Sequence, residues 1–217
     1  MFGGHYEKLR TLYHFCSWEM EIVKNEDAKR ATLLDFSYER RDTLYRWVNE
    51  SLLANVPIDY IEFGVYQGES LRKWRSINRR PESRFWGFDS FEGLPEDWGA
   101  HASEGTFDVN GIVPRIEDSR VNLVKGLFQE TLPDFLCSFK RNNRMVIHLD
   151  ADLYSSTLYV LIHMDRAIVP GSILIFDEFG AIDHEFAALR EFARVCNRKW
   201  KLLGGRKGFD KAVVEIL

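Results

Sequence analysis

Apolar positions along the chain change period near residue 57. Upstream, Leu9, Leu12, Tyr13 and Cys16 recur at helical spacing, and Leu44, Trp47, Val48 and Leu52 do so again after a capping Ser37. Pro57 ends this helical part. Beyond it, short and almost continuously apolar runs alternate with amphipathic ones. The pattern predicts strands over 59–64, 84–88, 121–124, 145–149 and 172–176, and helices over 70–78, 130–139, 155–168 and 184–196. Two further strands, 200–203 and 211–216, close the chain around a Gly-rich turn.

Apolar strands alternating with helices form a parallel sheet covered on both faces. The last two strands lie too close in sequence for a helical crossover and pair as an antiparallel edge hairpin. The expected fold is therefore α/β: a doubly wound, mostly parallel, seven-stranded Rossmann-like sheet. It divides into a helical N-terminal extension, 1–56, and an α/β core, 57–217. A long segment over 91–120, rich in Gly and Pro but carrying Trp98, Phe107, Ile112 and Val113, reads as a lid inserted between the second and third strands of that core.

Ligands of such sheets bind beyond the carboxyl ends of the strands, which is where the chain concentrates its chemistry. After the first strand comes Glu62-Phe-Gly64-Val-Tyr66-Gln-Gly68-Glu-Ser70. Its two glycines let the backbone pass close to a ligand and turn into a helix. It is neither a P-loop nor a full G-x-G-x-x-G. The second strand ends Asp89-Ser90, and an acid there can accept the hydroxyls of a ribose. Asp150 and Asp152 end the fourth strand, and Asp177 and Glu178 end the fifth. Four unpaired carboxylates in one cleft repel one another, and a hard cation such as Mg²⁺ relieves this. Asp150, Asp177 and Glu178 make a three-carboxylate ligand set, with Asp152 as a general base. His148 reads as a satisfied core residue, and His101 and His184 lie near the cleft.

Composition adds exclusions. With 29 Lys and Arg against 33 Asp and Glu, the net charge is −4, which argues against nucleic acid as a partner. No apolar run is long enough to span a membrane. Residues 1–24 lack the apolar core of a signal peptide, and Cys16, Cys137 and Cys196 read as buried thiols, so a cytoplasmic protein is expected. Aromatic residues, at 14%, are expected in the lid and the acceptor pocket as well as in the core.

Three stretches carry a family resemblance: Tyr60-Ile-Glu-Phe-Gly-Val-Tyr-Gln-Gly68, Gly87-Phe-Asp-Ser-Phe-Glu-Gly-Leu-Pro95 and Leu149-Asp-Ala-Asp-Leu-Tyr-Ser-Ser156, the last with Phe176-Asp-Glu178. Together they resemble the macrocin O-methyltransferases, class I enzymes that use S-adenosyl-L-methionine (SAM) to methylate sugar hydroxyls of macrolide and aminocoumarin antibiotics. The resemblance implies a SAM site at Glu62, Gly64, Tyr66, Gly68, Ser70, Asp89, Ser90 and Asp150. It also implies Mg²⁺ at Asp150, Asp177 and Glu178, Asp152 as the base, a small hydroxylated acceptor and a homodimer. Glu178 departs from the family, which has Asp there. Other readings are a catechol-type methyltransferase, a nicotinamide-dependent oxidoreductase and a non-catalytic nucleoside-binding module. The missing third glycine weighs against the oxidoreductase. The carboxylate cluster weighs against the binding module.

Overall fold

A computed structural model describes residues 30–99 and 101–217. The helical spacing at Leu9 to Cys16 lies outside these residues. The chain enters through a short strand, β1 (Thr32–Leu34), and a 3₁₀ turn (Tyr38–Arg40) that follows Ser37. Helix α1 (Asp42–Trp47) runs on into a π-helical turn (Val48–Leu52). The alternating part follows as β2 (Ile58–Phe63), α2 (Glu69–Ile77), β3 (Arg84–Asp89), β4 (Val121–Lys125), α3 (Phe128–Ser138) and β5 (Arg144–Leu149). It closes with α4 (Tyr154–Met164), β6 (Ile173–Phe176), α5 (Glu185–Val195), β7 (Trp200–Arg206) and β8 (Ala212–Ile216).

The strands form one eight-stranded sheet in the order β1-β7-β8-β6-β5-β2-β3-β4. All pairings are parallel except those of β8 with β6 and β7. The eighth strand is an addition to the seven expected: β1 pairs with the outer side of β7, Thr32 opposite Gly204. Three residues bounded by a helical turn carry too little period-two signal to read as a strand. Strand order reverses between β2 and β5, so the crevice of a doubly wound sheet opens above those two strands.

Alternating strand residues supply a core on each face. Ile61, Phe63, Phe88, Ile147, Leu149 and Leu174 pack under α3, α4 and α5, while Ile58, Tyr60, Phe85, Val146 and Ile175 pack under α1 and α2. More aromatic side chains sit in these two layers than line the cleft, where Tyr38, Tyr66, Trp98, Phe107 and Phe128 stand. Rings reach far enough to fill the gap between sheet and helix in single side chains, as the Tyr45–Trp74–Tyr60–Phe85 run does. Cys137 is exposed rather than buried, because α3 turns Leu132, Leu136 and Phe139 inward and leaves it on the outer face. Cys196 is partly exposed, and Cys16 lies outside the described residues.

Candidate active site

Hydrogen bonds stitch the carboxyl ends of the central strands into one floor. Gly64 N–H donates to Phe88 O (3.0 Å), Asp150 N–H to Phe63 O (2.9 Å) and Asp177 N–H to Leu149 O (3.0 Å). Above that floor lies a cavity of about 340 Å³. Of the residues expected at the site, Gly64, Tyr66, Ser70, Asp89, Ser90, Asp150, Asp152, Asp177 and Glu178 line it.

Two expected residues sit one layer below. Glu62 is fully buried under Ser70, and its carboxylate accepts Ser70 Oγ–H and Tyr60 O–H, each at 2.5 Å. Gly68 caps α2 in the left-handed conformation, φ +76°, and shapes the turn without lining the cavity.

Asp89 holds the glycine turn from the side. Its Oδ2 accepts the N–H groups of Val65 and Tyr66, both at 2.7 Å, and its Oδ1 accepts that of Phe91 at 2.7 Å. Of its four lone-pair positions, one on Oδ1 remains for a ligand hydroxyl. Ser90 Oγ is engaged by Gly93 O and Glu92 N–H.

Asp152 is almost fully buried and takes a left-handed φ of +59°, which Asp tolerates better than most residues. The cap position of α4 is Leu153 and carries no side-chain cap bond, so Asp152 is not a capping residue. Its carboxylate makes no hydrogen bond among the described residues. Burial, followed by the charges of Glu178 and Asp177, pushes its pKa up to about 7.

Asp150 and Glu178 likewise present carboxylates without hydrogen bonds. Burial and the neighbouring Asp177 raise Asp150 well above the ordinary carboxylate range, and burial raises Glu178. Asp177 goes the other way. Burial opposes its charge, but the His148 ring and the Lys211 ammonium outweigh that and keep it ionised. The pairing of Phe176 with Ala212 brings their neighbours Asp177 and Lys211 together, and the buried Lys211 Nζ donates to Asp177 Oδ2 and, at 3.2 Å, to Asp177 O.

His148 departs from the satisfied core residue expected. It is fully buried in β5 opposite Glu62, with Nδ1 2.8 Å from Tyr60 Oη, yet Nε2 has no hydrogen-bond partner. Nε2 points toward Asp177 Oδ1, which is also buried and unpartnered. His148, Asp150 and Asp177 can bring one ligand atom each to within 4.8 Å of one another. His101 and His184 pack against Trp98 outside the cavity lining.

Sequence reasoning also missed Tyr38, Arg41 and Lys211. Tyr38 and Arg41 line the cavity from the entry helices, and the Tyr38 ring sits 5.2 Å from Lys211 Nζ. The 91–120 segment contributes Gly93, Leu94, Pro95, Trp98 and Phe107 to one wall. Leu94 and Trp98 pack on Leu153 and so anchor that wall to the start of α4.

Residues 106–201 match the family model described as Macrocin-O-methyltransferase. A tetracenomycin 4'-O-methyltransferase of Streptomyces olivaceus, which acts on a dimethoxy-rhamnosyl tetracenomycin C, is 33% identical over 198 residues, covering 82% of this chain and 70% of the relative. The chain belongs to the macrocin O-methyltransferase family. It is a SAM-dependent O-methyltransferase. A demethyldecarbamoylnovobiocin O-methyltransferase of Streptomyces niveus is 27% identical, covering 76% of this chain and 70% of that one. The fold matches that of the solved calicheamicin methyltransferase CalS11 with a TM-score of 0.63 at 23% identity, over 97% of this chain and 92% of the other. The anionic lining of the cavity suits a cofactor that carries a sulfonium and an ammonium. No helix among the described residues is long and apolar enough to cross a membrane.

Proposed function

We propose that the enzyme methylates a sugar hydroxyl of a small natural-product acceptor, with Asp152 as the proton acceptor and Mg²⁺ held by Asp150, Asp177 and Glu178. The observation that carries this reading is Asp152 itself: an unpaired, buried carboxylate with a pKa near 7, in the same cavity as the glycine turn. A base poised near the working pH combines enough ionised form with enough basicity to take a hydroxyl proton.

The residues fit a divalent cation. Asp177 Oδ1 is a buried acceptor with no donor, the Asp150 carboxylate lies within 4.8 Å of the Asp177 carboxylate, and Glu178 lines the same cavity outside that cluster. Oxygen ligands suit Mg²⁺, and Glu178, one methylene longer than Asp, would swing in from the cavity lining to complete the set. Such an ion would polarise acceptor hydroxyls as a Lewis acid.

The chain's own part is orientation and proton removal. Gly64 and Ser70 set the methionine half of SAM, Asp89 takes a ribose hydroxyl, and the 91–120 wall limits water. Asp152 accepts the proton as the acceptor oxygen displaces the thioether, and the methyl group moves from sulfur to oxygen in line. Methylation of a rhamnosyl group by the tetracenomycin relative supports the sugar reading.

The test offers SAM, Mg²⁺ and a panel of glycosides and catechols to the enzyme, following S-adenosylhomocysteine release and the site of methylation by mass spectrometry. Methyl groups on sugar oxygens are expected. Turnover confined to catechols would overturn the acceptor assignment.

A further inference from the structure

Seven charged side chains among the described residues line the cavity, and only one is a cation. Glu69, Asp89, Asp150, Asp152, Asp177 and Glu178 are acids; Arg41 stands alone. SAM itself carries three formal charges. Its sulfonium and ammonium suit a carboxylate-lined cavity, but its carboxylate does not: it is repelled everywhere except near Arg41.

We propose that Arg41 is the anchor for the methionine carboxylate of SAM. This rests on the cavity being the cofactor site. Arg41 is 9% exposed and lines the cavity together with Gly64, Glu69 and Ser70, the residues at the methionine end. Its guanidinium has five N–H groups. Nη1 donates to Tyr38 Oη and Nη2 to Glu69 Oε2, both at 2.7 Å, so N–H groups remain for an incoming anion. The planar fork matches a carboxylate in two parallel bonds. Its charge is secure: burial opposes it, but nearby Tyr45, Tyr38, Asp177 and Glu69 hold its pKa above the usual arginine value.

Glu69 is the resident carboxylate at this position. It is 57% exposed on its side chain and also pairs with Lys73 at 2.6 Å. The cofactor carboxylate takes its place on Arg41, while Glu69 keeps Lys73. The N-terminus of α2, which begins at Glu69, adds a favourable dipole at the same end.

The experiment compares two ligands, S-adenosylhomocysteine and methylthioadenosine; the second has the same nucleoside and thioether but no amino-acid carboxylate. Dissociation constants are measured by calorimetry for the wild-type enzyme, Arg41→Met and Glu69→Gln. Arg41→Met should weaken S-adenosylhomocysteine roughly ten- to a hundredfold, the range for a lost charged hydrogen bond, and leave methylthioadenosine unchanged. The KM for SAM should rise and that for the acceptor should not. Glu69→Gln should bind S-adenosylhomocysteine at least as tightly as the wild type. Equal weakening of both ligands would show that Arg41 only supports the fold, and a rise confined to the acceptor KM would assign it to the acceptor; either overturns the proposal. Weaker binding in Glu69→Gln overturns the exchange. Wild-type enzyme that binds neither ligand would instead remove the cofactor-site reading.

Discussion

His148 Nε2 and Asp177 Oδ1 lie 3.6 Å apart, both buried and neither hydrogen-bonded. Tyr60 gives its proton to Glu62, so the 2.8 Å contact to His148 requires Nδ1–H as its donor. Nε2 then faces the carboxylate with either a proton or a lone pair. Burial lowers the His148 pKa, but Asp177 and Glu62 outweigh it and raise it to about 9, so the ion-free protein carries the proton. A divalent ion at Asp177 competes with that proton.

Ion affinity should therefore climb with pH, on the order of tenfold per pH unit for each proton released. Calorimetric Mg²⁺ titrations between pH 7 and 8.5 check this, and a flat affinity would show that ion and protons coexist. In the same preparation, EDTA should suppress turnover and Mg²⁺ restore it. A rate indifferent to EDTA removes the ion from the reaction.

Asp152→Asn should retain S-adenosylhomocysteine binding and lose turnover, and at saturating Mg²⁺ the wild-type kcat/KM should rise with pH and level off by about pH 7. Stability gives a second readout. A carboxyl raised in the fold binds its proton more tightly there than in the unfolded chain. Its ionisation is neutral to stability below about pH 4, costs more as pH climbs, and costs most above 7. The shift corresponds to roughly 4 kcal/mol in a dry site, and solvent in the open cleft should reduce this to about 2 kcal/mol. The Asn variant should thus be more stable at pH 8 and indistinguishable at pH 4. Equal urea midpoints at pH 8 would refute the burial of this charge.

With the His148 ring, Lys211 is the counter-charge that keeps Asp177 ionised. Lys211→Met leaves the buried Asp177 carboxylate with only the His148 ring opposite it, and removing one partner of a buried pair costs up to about 3–5 kcal/mol. Adding Asp177→Asn should return part of that loss. A single-variant cost under about 1 kcal/mol, read from urea unfolding, would mean the pair is weak.

Some of this was legible in the sequence and some was not, for identifiable reasons. Strands β2, β3, β5 and β6 announced themselves as apolar runs, and the last three each end in or run directly into an acid, so the position of Asp89, Asp150, Asp152, Asp177 and Glu178 followed from topology. Lys211 was invisible because its role depends on antiparallel register: only the pairing of Phe176 with Ala212 sets it against Asp177. Arg41 was missed because an arginine in an amphipathic entry helix reads as solvated surface, and its burial is a tertiary fact. His148 was read as satisfied because apolar neighbours in a strand give no sign of which ring nitrogen finds a partner. Glu62 was placed in the lining, although strand alternation aims it below Ser70 instead.

Gly64 and Gly68 both bound the turn, with φ +93° and +76°, yet they should respond very differently to alanine. A Cβ on Gly64 would lie 1.8 Å from Asp150 O, a contact with backbone at the junction of β2 and β5 that no rotamer relieves. At Gly68 the nearest atom is Ile116 Cδ1 at 3.2 Å, the end of a side chain that can shift. Gly68→Ala should cost about 1 kcal/mol, the usual penalty for a left-handed non-glycine residue. Gly64→Ala must push the end of β5 aside and displace Asp150, so it should abolish both S-adenosylhomocysteine binding and Mg²⁺-induced stabilisation. Calorimetry and thermal unfolding of the two variants side by side decide the matter. Comparable losses at both positions would mean that backbone conformation alone, and not the contact between the ends of β2 and β5, makes glycine necessary at residue 64.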